Sequence, residues 1–137
     1  MPVPTPEPLE PIGDIVIRTI AMPADANANG DIFGGWVLSQ MDLGAGVAAR
    51  RLAKCRVTTV AIDAMSFVAP VNVGDVVTCY AKMLHVGRTS MRIGIEAWAQ
   101  RFVEGTFGRV TYGTFTYVAI DQNGRPQPAV RPDEPPV

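Results

Sequence analysis

The stretch Gly35-Trp-Val-Leu-Ser-Gln-Met-Asp-Leu-Gly-Ala-Gly-Val-Ala-Ala-Arg-Arg-Leu-Ala53 decides the fold. It is apolar nearly all round, which marks a helix buried against something large, since a surface helix keeps a polar face. Gly44 and Gly46 each cost about 1 kcal/mol relative to alanine, a cost tolerated where a helix backbone approaches a neighbour closely. Lys54 to Arg56 bring basic charge to the C-terminal end of the helix dipole. Upstream lies the polar, turn-rich loop Asp25-Ala-Asn-Ala-Asn-Gly-Asp-Ile-Phe-Gly-Gly-Trp36. Gly34 and Gly35 stand where this loop hands over to the helix, so backbone N–H groups there can face a developing negative charge. Gly34, Leu38 and Asp42 follow an i, i+4, i+8 spacing, which sets a carboxylate on the helix face that also carries the entrance.

Outward from the helix the chain reads as strands. Ile15-Val-Ile-Arg-Thr-Ile-Ala-Met is rich in β-branched residues and stopped by Pro23. Val57 to Ala69 is long and ends at Pro70; the turn Val73-Gly-Asp75 leads into Val76 to Leu84, where Val77, Cys79, Ala81 and Met83 alternate with Thr78, Tyr80 and Lys82. Met91, Ile93, Ile95, Ala97 and Ala99 repeat the pattern, and Thr106 to Ile120 supplies a last strand with Asp121-Gln-Asn-Gly124 as its turn. The order β-α-β-β-β-β is α+β, and one helix covers five long strands only by lying across a sheet that curves around it.

The whole-chain properties narrow the function. Its 137 residues fit one domain, and 12 Lys+Arg against 13 Asp+Glu give no reason to expect a nucleic-acid partner. The start Met1-Pro-Val-Pro-Thr-Pro-Glu-Pro has neither a basic n-region nor an apolar h-region, and the longest apolar run is broken by Ser39, Gln40 and Asp42. A soluble, cytoplasmic protein without a membrane partner is expected. Cys55 and Cys79 have neither Cys-x-x-Cys spacing nor a histidine nearby, so they read as buried thiols and no metal site is expected. Prolines concentrate at the two ends, which puts a disordered tail at 1–11, the folded unit at 12–121 and a second Pro-rich tail at 122–137.

Five blocks, in order, carry a family likeness: Asn27-Ala-Asn-Gly-Asp-Ile-Phe-Gly-Gly35, Met41-Asp42, Val60-Ala-Ile-Asp-Ala-Met-Ser-Phe67, Val73-Gly-Asp75 and Val86-Gly-Arg-Thr-Ser90. Together they resemble the YciA-type acyl-CoA thioesterases of the hotdog-fold superfamily. The resemblance implies a long central helix wrapped by a five-stranded or six-stranded antiparallel sheet. It also implies a homodimer paired edge to edge, often assembled further as a trimer of dimers, with active sites at the dimer interface. Opposing protomers would contribute Asn27 and Asp42. Several related hotdog thioesterases carry histidine before the double glycine, where this chain has Phe33.

The residues give these expectations chemical content. Asp42 would serve as general base on water or as nucleophile toward a thioester carbonyl, against the plainer reading of a helix-surface aspartate. The apolar residues around it in sequence suggest a desolvated carboxylate. Asn27 offers both amide donors and an acceptor to water or carbonyl, although Asn and Gly also cluster in loops for turn geometry alone. The Gly35 N–H would stabilise the oxyanion, and Gly34 would permit close approach of the thioester. Arg88, Thr89 and Ser90 at a strand-to-strand turn would hold phosphate of coenzyme A, against the reading of a solvated hairpin. Ser66 would border the same channel. The expected reaction is hydrolysis of acyl-CoA to acid and CoA without metal or redox cofactor, the CoA being part of the substrate. The lone His85 lies away from the helix start and no Gly-x-Ser-x-Gly exists, which disfavours a dehydratase or a serine hydrolase. A non-catalytic acyl-CoA-binding protein is the alternative of a different class, and it gives no reason for a desolvated carboxylate.

Overall fold

The computed structural model describes residues 10–130. The elements run β1 (Asp14–Ile20), a short 3-10 turn (Pro23–Asp25), α1 (Gly34–Ala53), β2 (Arg56–Phe67), β3 (Val76–Val86), β4 (Ser90–Arg101) and β5 (Thr106–Ile120). The five strands form one antiparallel sheet in the order β1-β3-β4-β5-β2. Helix α1 packs against every strand of it. This is the hotdog arrangement, with the order β-α-β-β-β-β read from the sequence.

Local chemistry explains the boundaries. Lys54 adopts a left-handed conformation at φ 55° and donates its N–H to the Arg50 carbonyl at 2.8 Å, ending α1 and turning the chain into β2. Gly13, at φ +63°, starts β1 where a Cβ would lie 2.0 Å from the Ala81 carbonyl oxygen, so no other residue fits.

The core lies between one stripe of α1 and the concave face of the sheet. Val37, Met41, Ala45, Ala49 and Ala53, four residues apart, are buried against Val77, Cys79, Met91, Ile93, Ile95, Phe115, Tyr117 and Ala119. The expectation of a helix buried all round does not hold within one protomer: Leu43 is 60% exposed, because the sheet curves around one side only. The two helix glycines also differ. A Cβ on Gly44 would stand 2.7 Å from Val16 Cγ2, so β1 requires glycine there, whereas at Gly46 the nearest atom, of Tyr117, is 3.7 Å away. Close approach accounts for the first glycine alone.

The convex face is less polar than the alternation suggests. Glu96 and Trp98 of β4 are buried on it, with Glu96 accepting hydrogen bonds from Ile12 N at 3.1 Å, Trp98 Nε1 at 3.0 Å and Arg109 Nη1 at 3.1 Å. Phe107 stacks on Trp98 with ring centroids 5.0 Å apart.

The expected tail 1–11 lies outside the described residues except for Glu10 and Pro11. The C-terminal boundary is corrected up to Val130, the last described residue. Asp121 Oδ1 accepts the N–H groups of Asn123 and Arg125, Gln127 N donates to Ala119 O at 2.9 Å, and Ala129 is buried against the β3–β4 turn. These bonds hold 122–130 in the folded body, and prolines there shape a packed return.

Two measurements of stability follow. Gly44→Ala should destabilise the domain by about 1–3 kcal/mol through overpacking, while Gly46→Ala should be neutral or gain up to about 1 kcal/mol, as read by urea midpoints. Equal effects would show that α1 does not press on β1. The second concerns alkali, because burial pushes the Cys79 thiol from 9.0 up to about 12. The folded chain then keeps a proton that the unfolded chain releases, so this stability is complete below about pH 9 and is lost as pH rises toward about 12. Unfolding free energy should fall with a slope shallower by roughly 1 kcal/mol per pH unit in Cys79→Ala than in the parent above pH 9. Parallel slopes would remove the thiol from the explanation.

Candidate active site

The loop before α1 is built by its own side chains. Asp25 Oδ2 accepts the Met22 N–H at 3.0 Å, and Asn27 Oδ1 accepts the N–H groups of Asn29 at 2.9 Å and Asp31 at 3.2 Å. Gly30 at φ +85° closes the turn, and Phe33 N donates to Asp25 O at 3.2 Å, so the loop folds back on itself over the buried Ile32. Asn27 is therefore a loop organiser through its side-chain carbonyl oxygen, and the groups it has left for a ligand are its Nδ2 amide N–H donors.

The loop delivers the chain to α1 without a side-chain cap. Phe33 is the N-cap and supplies no side-chain hydrogen bond; its carbonyl accepts from Trp36 at 3.1 Å and Val37 at 3.3 Å. The N–H groups of Gly34 and Gly35 have no partner among the described residues and lie at the positive end of a 20-residue helix. Gly34 sits under Phe67, whose Cε1 would be 3.3 Å from an added Cβ, while the space beside Gly35 is open.

Asp42 stands two turns further along. Its Oδ1 accepts Thr59 Oγ1–H at 2.7 Å and Tyr117 Oη–H at 2.6 Å, and the same phenol lies 2.8 Å from the Asp42 carbonyl. Both hydroxyls converge on Oδ1, and Oδ2 has no partner among the described residues. The apolar surroundings expected from neighbours in sequence are thus corrected by neighbours in space: the carboxylate is half-buried and its desolvation is offset by two hydroxyl donors. Burial first, and then Asp42, raise the Tyr117 phenol well above the ordinary tyrosine range, with Thr59 opposing, so Tyr117 remains a donor.

Sequence reading missed Thr59 and Tyr117, which are 17 and 75 positions from Asp42. A signal existed for one of them. Tyr117 lies in phase with the inward residues Phe115 and Ala119, and a phenol on a core face needs a partner.

Gly34 and Asp42 share a helix face, as the spacing implies, but eight residues at 1.5 Å each separate them by about 12 Å along the axis. Oxyanion donors and a base acting on one carbonyl must both come within about 3 Å of the reacting atoms. A single protomer does not bring them together.

Near Gly34 opens a cavity of about 410 Å³ between the helix start and the sheet, lined by Ile32, Val37, Phe67, Val71 and Thr111 among others. Ser66 pairs with Tyr112 across the β2–β5 ladder and is not among the lining residues; its neighbour Phe67 takes that place. Arg88, Thr89 and Ser90 form the β3–β4 turn, distinct from this cavity. Arg88 O accepts Ala129 N at 2.9 Å, Thr89 O accepts Ala119 N at 2.9 Å, and Ser90 O accepts Gly87 N at 2.7 Å. The Arg88 side chain is exposed, and the turn backbone is braced by the C-terminal segment. Among the described residues no three His, Cys, Asp or Glu side chains converge as a metal site.

A largely apolar cavity lined in part by Gly34, at the start of α1, has the character of a site for an apolar group. Residues 29–104 match the model of the thioesterase superfamily. The Escherichia coli acyl-CoA thioester hydrolase YciA is 50% identical over 120 residues, covering 85% of this chain and 91% of its own. A hexameric thioesterase of Yersinia pestis superposes with a TM-score of 0.83 at 50% identity, over 87% of this chain and 97% of that one. A hexameric broad-specificity acyl-coenzyme A thioesterase superposes at 0.86 with 46% identity, over 90% and 86%. The chain belongs to the thioesterase superfamily, in its YciA-type branch of acyl-CoA thioester hydrolases.

The Asp42 network predicts a coupling. Tyr117→Phe and Asp42→Asn, made singly and together, should give a non-additive stability loss with an interaction of about 1 kcal/mol. Additive losses would mean that the 2.6 Å contact contributes nothing net.

Proposed function

We propose that this chain hydrolyses acyl-CoA thioesters to carboxylic acid and CoA in a centre shared by two copies. The observation that carries the sharing is the separation of about 12 Å between the open helix N-terminus and Asp42. In this reading Asp42 faces the helix N-terminus of the partner copy. The unpaired Oδ2 takes a proton from water, whose oxygen attacks the carbonyl carbon, or it attacks that carbon itself to give a mixed anhydride, which water then hydrolyses to the carboxylic acid with return of the Asp42 carboxylate. The Gly35 N–H receives the oxyanion, Gly34 lets the thioester approach, and collapse expels the CoA thiolate, which takes up a proton. Asn27 donates from Nδ2 to the water or carbonyl. Water is the only co-reactant, and no metal or cofactor takes part.

Arg88, with Thr89 and Ser90, holds phosphate of CoA, and Ser66 borders the channel that leads to it. The two copies pair along β2, where Val60 is 55% and Ile62 40% exposed on an edge strand. The relatives described as hexameric support further assembly as a trimer of dimers. Among the described residues no helix is long and apolar enough to cross a membrane, and the reading places the enzyme in the cytoplasm.

The test is thiol release from acyl-CoAs of graded chain length. The parent protein should release CoA, and a folded Asp42→Ala variant should be slower by roughly 10²- to 10⁴-fold. Acyl-CoA binding without release by the parent would instead favour a binding protein.

A further inference from the structure

The C-terminal return, residues 122–130, ends on the turn to which the CoA reading assigns phosphate. Ala119 ties the two together. Its N–H donates to Thr89 O at 2.9 Å and its carbonyl accepts Gln127 N at 2.9 Å, while Gln127 Nε2 donates to Ile120 O at 3.2 Å. Ala129, 1% exposed, then donates its N–H to Arg88 O at 2.9 Å. Gly87 N donates to Ser90 O at 2.7 Å, so the carbonyls of Arg88, Thr89 and Ser90 are all engaged by donors of the chain itself.

The peptide between Arg88 and Thr89 is the decisive one. It is planar and trans, so its C=O and its N–H point to opposite sides. With Arg88 O held by Ala129, the Thr89 N–H points away from the return, and it has no partner among the described residues. Arg88 itself is exposed. An outward backbone N–H next to a guanidinium is a combination suited to an anion, and it exists here because the carbonyl of the same peptide is turned inward.

We propose that Ala129 is a positioning residue: by holding Arg88 O it orients the Thr89 N–H, which together with the Arg88 guanidinium binds a phosphate of CoA. The inference rests on the acyl-CoA hydrolase reading above and on its phosphate site at Arg88. Without the Ala129 donor, the peptide is free to rotate and to present its carbonyl oxygen to the phosphate. The C-terminal return thereby acts on recognition of the nucleotide end of the substrate and leaves the thioester chemistry alone.

The experiment measures kcat/KM for butyryl-CoA and for butyryl-pantetheine, which carries no phosphate, in the full chain and in Arg88→Ala, Ala129→Pro and Ala129→Ser. Proline deletes the Ala129 N–H and serine keeps it. Gln127→Pro, which deletes the donor to Ala119 O, is the second variant should Ala129→Pro disturb folding. The ratio of the CoA ester to the pantetheine ester should fall roughly threefold to tenfold in the proline variants and in Arg88→Ala, and be retained in Ala129→Ser. A merely structural role would lower both rates together and leave the ratio fixed. A ratio that falls in Arg88→Ala but not in the proline variants, or falls as far with serine as with proline, overturns the role of Ala129 alone. A ratio unmoved by Arg88→Ala overturns the phosphate site and this inference with it. Hydrolysis of neither ester by the parent overturns the hydrolase reading as well.

Discussion

Everything in this domain depends on how closely α1 lies on the sheet. One 20-residue helix is the concave-side element for five strands, so it must reach all of them, and small residues let it. Gly44 meets Val16 where a methyl has no room, and Ala45, Ala49 and Ala53 continue the stripe against larger sheet residues such as Ile93, Phe115 and Tyr117. Bulk on the sheet and smallness on the helix let the two surfaces pack closely. Reversing the assignment would lift the helix and open the far strands to water.

Close approach also determines where polar groups appear. A helix pressed onto a sheet has its backbone satisfied along its length and open at its ends, so the first-turn N–H groups are the natural donors. The loop leading in could have supplied a capping side chain, yet Asn27 spends its carbonyl on the loop itself and Phe33 offers none. The donors stay available as a result. Midway along, the helix passes near enough to β2 and β5 for Thr59 and Tyr117 to reach Asp42, which turns a carboxylate on an apolar helix into a fixed one. Two hydroxyls on Oδ1 orient the group and leave Oδ2 as its unpaired face.

The element order, the strand phases and the entrance glycines were legible in the sequence because each is encoded locally. Period-2 alternation marked β3 and β4, and the handover from polar loop to apolar run marked the start of α1. What was not legible depends on contacts distant in sequence. The partners of Asp42 come from two other strands, and the distinction between Gly44 and Gly46 lies in Val16 and Tyr117. Burial of Glu96 reflects Arg109 and the backbone of Ile12, which alternation within β4 does not encode. Proline content suggested a Pro-rich tail from 122 onward, whereas hydrogen bonds from Gln127 and Ala129 dock the segment up to Val130, and proline geometry is equally compatible with a packed return.

The separation along α1 and the exposed edge of β2 are two sides of one argument. In the proposed reading, a catalytic centre split over about 12 Å works only when a second copy brings its missing half. An edge strand with Val60 and Ile62 exposed offers the surface for that copy. Such an edge invites open-ended pairing unless something limits it. Here β2 shifts register between Thr59 and Ala61 and again between Asp63 and Ser66, with Ala64 in the left-handed region at φ 52°. Irregularity of this kind twists an edge locally and restricts which strand can lie beside it. The same edge leads from Thr59 at the carboxylate to Phe67 over Gly34, so a second copy aligned on it would lie beside both halves of the chemistry. In that reading, a strand that selects its partner and a site that needs one place the same demand on β2.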